Sequence, residues 1–149
     1  MNIKHIVIIG AGTMGTDLSV KLAASGARVT IVGRSGGRAD TFDTRALSAA
    51  RDLDVALDQL KLQLLSDLTS VDWSSVDLII ENVNEDLVLK QRVFEQVVAM
   101  ANADTIITSN SSTFGISLIS SGLSPQSRFF GLHFFMPAHL VPLVEIVTS

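Results

Sequence analysis

The sequence contains no cysteine, no excess of basic side chains and no long apolar run. The absence of cysteine excludes disulfides and thiolate metal sites, and it leaves the redox compartment open. With 11 basic against 15 acidic side chains, the net charge of −4 provides no basic stripe for nucleic acid. No apolar stretch approaches the roughly 20 residues of a membrane span. The N-terminus has a strand-like pattern and not that of a signal peptide, so we expect a cytoplasmic protein.

The residues that are present suit one buried core. Hydrophobic side chains make up 47% of the 149 residues, and short apolar runs alternate with segments of helical spacing along the whole chain. No internal repeat, low-complexity segment or linker interrupts this alternation. We therefore expect a single α/β domain over residues 1–149.

The N-terminal segment predicts a strand, a tight turn and a helix. The apolar run 6–9 ends at a glycine-rich stretch, and helical spacing follows before a second apolar strand over residues 27–32. Such a unit binds a dinucleotide, because the glycines allow the turn and the approach of a pyrophosphate to the helix N-terminus. The alternative is a tight turn in some other α/β protein. The residues predicted to contact the cofactor here are Gly10, Gly12, Thr13, Met14 and Gly15.

The residues after the second strand bear on the choice of cofactor. A site for NAD places Asp or Glu at this point, where it binds the ribose 2′-hydroxyl. The sequence has Arg34 and Ser35 instead, and these two side chains could bind a 2′-phosphate. We therefore predict binding of NAD(P) with a preference for NADP. The alternative is that both residues lie in a solvated loop.

Several more segments can be assigned from their periodicity. Apolar residues at helical spacing predict helices, and short buried or alternating runs predict strands. Trp73 is interpreted as a packing residue. The predicted elements are a helix over 41–60, strands over 62–65, 77–83 and 105–109, a helix over 85–101, and a helix that begins near Phe114.

Polar residues follow two of these strands. Ligands of open parallel sheets bind beyond the carboxyl ends of the strands, so Asn82, Asn84, Glu85 and Lys90 are candidates to bind the nicotinamide ribose. Lys90 is predicted on the polar side of its helix, and Glu85 is equally explained as an acid in a first helical turn. The polar cluster 110–113 either binds a ligand or caps the helix that follows, and composition alone favours capping.

The C-terminal segment predicts a β-hairpin. Residues 129–135 and 141–147 read as strands, and a hairpin with symmetric arms would place His133 directly opposite Glu145. A histidine held by a carboxylate is a prepared general base, since the acid fixes its tautomer and stabilises the imidazolium. The alternative is a structural His–Glu pair. The remaining histidines, interpreted as surface residues without metal-ligand spacing, are His5 and His139.

Taken together, these motifs resemble the nucleotide-binding domain of the L-3-hydroxyacyl-CoA dehydrogenase family over essentially the whole chain. The resemblance implies that His133 is the catalytic base, that Glu145 orients it, and that Ser112 hydrogen-bonds the substrate oxygen. It also implies that Glu85, Lys90 and Asn110 lie near the nicotinamide ribose. The landmarks are Gly10–Gly15, Glu81–Lys90, Asn110–Ser112, and Gly131–Pro137 leading to Pro142–Glu145.

The fold that the resemblance implies is a Rossmann-type, doubly wound and mainly parallel sheet with helices on both faces and antiparallel C-terminal strands. The implied activity is NAD(P)-dependent oxidation of the 3-hydroxy group of a 3-hydroxyacyl-CoA, or of a related 3-hydroxy acid. Its partner would be this small-molecule substrate, with neither nucleic acid nor membrane. The alternative is a non-catalytic, free-standing dinucleotide-binding or redox-sensing module.

Four features depart from the family pattern. The second strand lacks the family's acid, Met136 replaces an asparagine of the usual motif, and the segment between the second and third strands is short. The short segment favours a substrate smaller than a coenzyme A thioester. The family also continues beyond the position of Ser149 into a helical domain that contributes to the substrate pocket and the dimer interface. The resemblance therefore implies an incomplete enzyme and leaves a homodimer open.

Overall fold

The computed structural model describes residues 3–33 and 39–148. No helix within these ranges has both the length and the apolar character needed to cross a bilayer. The strands are β1 (His5–Ile9), β2 (Arg28–Val32), β3 (Leu62–Leu65), β4 (Leu78–Glu81), β5 (Ile106–Ser109), β6 (Phe129–Phe134) and β7 (Val144–Thr148). The helices are α1 (Thr13–Ala24), α2 (Ala39–Asp52), α3 (Leu87–Met100) and α4 (Ile116–Ile119).

The strands form one sheet in the order β3-β2-β1-β4-β5-β6-β7. All neighbours are parallel except β6 and β7, which pair antiparallel. The predicted doubly wound sheet with antiparallel C-terminal strands is confirmed. The first three strands are added toward one edge of the sheet, and the chain then returns to add β4 on the other side of β1. In sheets of this kind a ligand-binding crevice lies beyond the carboxyl ends of the two strands at which this order reverses.

The centre of the sheet is buried on both faces. Successive residues of β1 point to opposite sides, so Ile8 packs with Leu18 and Ala46 beneath α1 and α2, whereas Val7 packs with Phe94 beneath α3. All five side chains are essentially inaccessible to solvent. This arrangement explains why β1 reads as a continuous apolar run and not as an alternating one.

The predicted helix over 41–60 is too long. α2 ends at Asp52, and Asp54 adopts a left-handed conformation with φ of 54°. The amide of Val55 then bonds the carbonyl of Ala50, and the amide of Asp54 bonds that of Arg51. These two bonds form a Schellman C-cap, which here uses aspartate where glycine is usual. The apolar residues beyond it belong to an irregular connection with a 3-10 turn at Leu57–Gln59.

The helix predicted to begin near Phe114 is the four-residue α4, Ile116–Ile119. Two other predictions need correction. Lys90 is buried although it was predicted on the polar side of its helix. His5 and His139, interpreted as surface residues, are also buried, at 3% and 5% exposure. Each of these three buried side chains has a polar partner on another element of the fold.

His5 lies on β1 at the amino end of the sheet. Its Nε2 is 3.0 Å from the hydroxyl of Thr30, and Nη2 of Arg28 is 2.7 Å from its Nδ1. Burial and the neighbouring Arg28 guanidinium both lower the pKa of His5 below its ordinary value of 6.5. The imidazole is therefore held in its neutral form, with Nδ1 accepting and Nε2 donating.

Candidate functional site

The carboxyl ends of four neighbouring strands meet at one edge of the sheet. The parallel register aligns Ile9 with Glu81, Glu81 with Ser109, and Ser109 with Gly131. The polar residues that follow these positions therefore lie side by side, as the sequence predicted. The amide of Asn82 bonds the carbonyl of Ile9 at 2.7 Å, which closes the edge between β1 and β4.

The glycine turn between β1 and α1 has no room for side chains at two positions. Gly10 has φ of +112°, and a Cβ there would lie 2.4 Å from the carbonyl oxygen of Asn82. A Cβ on Gly15 would lie 1.9 Å from the carbonyl oxygen of Gly10, because α1 packs directly on the turn. By contrast, nothing lies within 4 Å of a Cβ built on Gly12. Gly12 therefore faces open space.

Gly12 is also the N-cap of α1. No side chain hydrogen-bonds the helix N-terminus at this cap, and the first turn contains no acidic residue. The first N–H groups of α1 therefore point toward the open space in front of Gly12, where the helix dipole favours an anion. Thr13 and Met14 are the first two residues of this turn, and Thr13 is exposed.

A cavity of about 660 Å³ adjoins the glycine turn. One wall is an apolar face of α3 that includes Leu89, Val93 and Met100, and the opposite wall is the loop 66–69 after β3. The volume is in the range of small-molecule pockets. The sequence analysis did not identify the 66–69 loop, although its position at the carboxyl end of a parallel strand was the available signal.

Trp73 supports the cavity loop. Its indole Nε1 donates to the carbonyl of Leu68 at 3.0 Å, and the ring packs with the core cluster beneath α3. Asp67 accepts from the amide and hydroxyl of Thr69 at 2.6 and 2.7 Å, which folds the loop into a short turn. The interpretation of Trp73 as a packing residue is confirmed, and its indole N–H also fixes the cavity wall.

Lys90 lies in a buried charge network at the end of β4. Its Nζ is 2.9 Å from Oε1 of Glu81, 3.2 Å from Oε2 of Glu85 and 3.4 Å from the carbonyl oxygen of Val83. Glu81 also accepts from the Ser109 hydroxyl at 2.6 Å. The three N–H donors of Lys90 thus have protein acceptors. Sequence reasoning missed Glu81 and Ser109, because both occupy strand positions that read as core.

Glu85 links this network to the loop after β5. Burial raises the pKa of Glu85, but hydrogen bonds from Ser111 and Lys90 and the Lys90 charge outweigh it, so the pKa lies below its ordinary value. The Ser111 hydroxyl also accepts from the amide of Phe114 at 2.9 Å. The polar cluster 110–113 thus caps the turn that follows it, and capping was one of the two alternatives that the sequence analysis gave for this cluster. Ser112 is exposed at the front of this loop.

Asn110 connects three strand ends. Its Nδ2 donates to Oδ1 of Asn82 at 2.7 Å, and its Oδ1 accepts from the amide of Phe134 at 2.7 Å. The side chain therefore bridges the ends of β4, β5 and β6. Its two hydrogen bonds fix the backbone next to His133.

His133 and Glu145 lie directly opposite each other in the β6–β7 hairpin, so the predicted register is confirmed. Nδ1 of His133 is 3.5 Å from Oε2 of Glu145. The His133 side chain is 24% exposed and contacts the ring of Phe135, with centroids 4.7 Å apart. The pair thus places an imidazole beside a carboxylate, an arrangement that suits a general base. Among the described residues no cluster of three or more His, Asp or Glu could hold a metal ion.

Two of the predicted cofactor residues, Arg34 and Ser35, lie outside the described residues. The remaining predicted site residues lie at the carboxyl edge of the sheet, in the glycine turn and the first turn of α1 or at the ends of β4, β5 and β6, and Lys90 reaches this edge from α3. Glu145 joins them from β7. One further polar group near this edge, His139 with Asp17 and Asp52, was missed because its members are far apart in sequence.

Comparison with known proteins agrees with this geometry. A family model for the NAD-binding domain of 3-hydroxyacyl-CoA dehydrogenase matches residues 5–149. A mitochondrial hydroxyacyl-coenzyme A dehydrogenase from Rattus norvegicus is 34% identical over 99% of this chain and 51% of its own length. The chain thus spans about half the length of this curated relative.

Two solved structures extend the comparison. The 3-hydroxybutyryl-CoA dehydrogenase of Escherichia coli K12 aligns with a TM-score of 0.85 and 27% identity, over 98% of this chain and 32% of that one. An NAD⁺-dependent dismutase, the 5-dehydrogenase of a formyl-hydroxy-methylpyridine carboxylic acid, aligns with a TM-score of 0.86 and 28% identity, over 97% of this chain and 48% of that one. With its dinucleotide turn, opposed His–Glu pair and matched length, the chain belongs to the family of 3-hydroxyacyl-CoA dehydrogenase NAD-binding domains.

Proposed function

We propose that this chain binds NAD(H) or NADP(H) in the crevice between β1 and β4 and contributes the general base of a 3-hydroxy acid or 3-hydroxyacyl-CoA dehydrogenase. The single observation that carries the proposal is the meeting, at one sheet edge, of an uncapped helix N-terminus with the His133–Glu145 pair. The first suits a pyrophosphate and the second suits proton transfer.

The shape of the crevice fits a dinucleotide. Nothing lies within 4 Å of a Cβ built on Gly12, so the pyrophosphate of the cofactor can approach the first N–H groups of α1. We assign the pyrophosphate to the turn, with Thr13 and Met14 in the first helical turn, and the adenosine half to the cavity against α3. We assign the nicotinamide ribose to the other side, near Glu85 and Asn110. Lys90 would act there through Glu85, because its own donors are taken.

The proposed chemistry is oxidation of a secondary alcohol. The bound dinucleotide supplies the hydride acceptor. His133 would take the hydroxyl proton at Nε2, while Glu145 accepts the Nδ1–H, fixes the tautomer and stabilises the imidazolium that forms. The exposed Ser112 hydroxyl would donate to the substrate oxygen. A positioned base of this kind contributes roughly 10²–10⁴ in rate.

The substrate is proposed only as a class. Neighbours of the chain include a dehydrogenase named for an acyl-CoA and one named for a pyridine carboxylic acid. In the described part of the connection between β2 and β3, α2 (Ala39–Asp52) is the only α-helix, and Met136 at the site edge is 60% exposed. These features support two alternative substrate classes, a small 3-hydroxy acid and a 3-hydroxyacyl-CoA.

A second domain is also proposed. The outer strand β7 is exposed along its whole length, and its large apolar side chains are 38–66% exposed. Such a surface is typical of an interface. We propose that a helical substrate domain packs here, with a homodimer formed through that domain. The apolar residues concerned are Leu143, Val144, Ile146 and Val147.

The preference between the two cofactors depends on Arg34, which follows β2. We propose that Arg34 and Ser35 bind a 2′-phosphate and favour NADP over NAD. The matching family model is named for an NAD-binding domain.

The cytoplasmic location stays a prediction. The relative from Rattus norvegicus is named as mitochondrial, and fractionation of the source cells tests the location of this protein.

Calorimetric titration of the chain with NADH and NADPH tests the proposal. Gly12→Val should abolish binding, because the added side chain fills the approach to α1, whereas Gly115→Val is the matched control. Both glycines are helix N-caps with nothing within 4 Å of a built Cβ, and Gly115 lies outside the cavity lining. Arg34→Asp should shift preference toward NADH. Absence of binding to the unaltered chain, or equal binding by Gly12→Val, would refute the cofactor site.

A further inference from the structure

His139 connects the loop after β6 to both helices on one face of the sheet. Its Nε2 is 2.9 Å from Oδ2 of Asp52, at the end of α2, and its Nδ1 is 3.0 Å from Oδ2 of Asp17, in the middle of α1. The Nδ1 contact is close, but its geometry is not that of a hydrogen bond. The imidazole is 7% exposed and Asp17 is fully buried.

The same carboxylate also binds the guanidinium of Arg45. Nε and Nη2 of Arg45, on α2, each lie 2.8 Å from an oxygen of Asp17, and Nε also lies 3.4 Å from the carbonyl oxygen of Thr13. The charged groups facing His139 are thus Asp17 on α1 and Asp52 on α2, with Arg45 across Asp17. The loop 135–143 contains no other ionisable side chain. His139 is therefore the one ionisable side chain through which this loop contacts the helices.

The β6–β7 hairpin needs such an anchor. Every residue of β7 is exposed, so no buried face of that strand specifies its register against β6. A slip of two residues would keep each side chain on its face but would move Glu145 away from His133. Register must therefore be set by the connection, residues 135–143, where Ala138 is buried in the core and the amides of Leu140 and Val141 bond the carbonyl of Pro137.

We propose that His139 is a positioning residue: by binding Asp17 and Asp52 it fixes the connection against α1 and α2 and so holds His133 opposite Glu145. Its catalytic meaning rests on the proposed function of that pair. Because Asp17 lies on the helix that begins at the glycine turn, the network also sets the hairpin's position relative to the cofactor crevice. His139 itself is not a catalytic residue.

Engineered thiols can report the register directly, since the chain has no cysteine. Leu132 and Ile146 are opposite in the observed register, whereas Leu132 and Val144 would be opposite only after a slip of two residues. We expect the Leu132→Cys/Ile146→Cys pair to oxidise at least about tenfold faster than the Leu132→Cys/Val144→Cys pair, because a disulfide needs close Cβ atoms. His139→Gln should bring this ratio close to one.

Two further backgrounds make the test decisive. Asp52→Ala removes one partner of His139 at a half-exposed position, so it should lower the ratio without loss of folding. His5→Gln is the matched control, because it alters a buried histidine at the opposite end of the sheet, and it should leave the ratio unchanged. An unchanged ratio in either His139→Gln or Asp52→Ala would overturn the proposal. The readout uses no cofactor, so failure of NADH binding would refute only the proposed function.

Discussion

Lys90 and Glu81 form an ion pair at 2.9 Å in which the side chains are 1% and 0% exposed. The pair joins α3 to the last residue of β4, and Glu81 also accepts from the amide of Val83 at 2.6 Å. Both charges are thus removed from water at the edge of the sheet where the site is built. Such a pair is costly to desolvate but more costly to break on one side only.

Removal of the ammonium should therefore destabilise the fold. We expect Lys90→Met to lower the free energy of unfolding by about 3–5 kcal/mol, since it leaves the Glu81 carboxylate buried without its cation. Glu81→Gln in the same chain should restore part of this loss, because the amide carries no charge. Urea unfolding at pH 7 measures both, with Lys61→Met as an exposed control expected within about 0.5 kcal/mol of the unaltered chain. A loss below about 1 kcal/mol for Lys90→Met would contradict the buried pair.

The neutral imidazole of His5 predicts acid sensitivity. Burial and Arg28 hold the pKa of His5 below 6.5 in the folded chain, whereas unfolding restores the ordinary value. The unfolded state therefore binds more protons between these two values, and the stability that His5 contributes is complete above pH 6.5 and declines as the pH falls below it.

Denaturant unfolding between pH 7.5 and 5.5 measures this decline. The free energy of unfolding should fall less steeply for His5→Gln than for the unaltered chain, by up to about 1.4 kcal/mol per pH unit for one proton. The nearby carboxyls of Asp72 and Asp77 have pKa values below 3.8, because they accept local hydrogen bonds, so they do not titrate in this window. Parallel pH profiles of the two proteins would show that His5 is not the group responsible.

The two hydrogen bonds of Asn110 predict a local effect beside the proposed base. Asn110→Ala removes the acceptor of the Phe134 amide, so hydrogen exchange at that amide should accelerate by about tenfold or more, as expected for a bond worth roughly 1–1.5 kcal/mol. Asn110→Asp retains an acceptor oxygen and should keep the protection. Amide exchange by NMR resolves the two variants, and equal protection in both would exclude the proposed contact.

Sequence reasoning succeeded where backbone geometry along the chain determines a contact, and it failed where side chains meet only through the packing of separate elements. The opposition of His133 and Glu145 could be predicted because both lie in one hairpin, where spacing along the chain fixes register. The glycine turn could be predicted for the same reason, since the turn and α1 are local. The Schellman cap at Asp54 escaped notice because only glycine, or less often asparagine, marks a left-handed cap in sequence.

The buried charges could not be read from sequence, because each is stabilised by a partner that only the fold brings near. His139 looks like a surface residue until Asp52, 87 positions earlier, and Asp17 are placed beside it. Lys90 looks like a polar-face residue until Glu81 is found beneath it on β4. Burial of a lone charge costs too much free energy, so reasoning from sequence patterns predicts that such a side chain is exposed. Only a partner that the fold brings close makes burial of the charge tolerable.

Two glycines of the turn should separate folding from cofactor binding. In Gly15→Ala, the new methyl would lie 1.9 Å from the Gly10 carbonyl oxygen, so α1 must move away from the turn, and overpacking of this kind costs about 1–3 kcal/mol or more. In Gly12→Ala, the methyl meets nothing within 4 Å and φ is −81°, so stability should stay within about 0.5 kcal/mol. The methyl group nevertheless narrows the space in front of α1 that we assign to the pyrophosphate, so the affinity for NADH should fall. Thermal unfolding and calorimetry on both variants give the comparison. If Gly12→Ala lost stability and Gly15→Ala did not, the packing of α1 on the turn would be wrong.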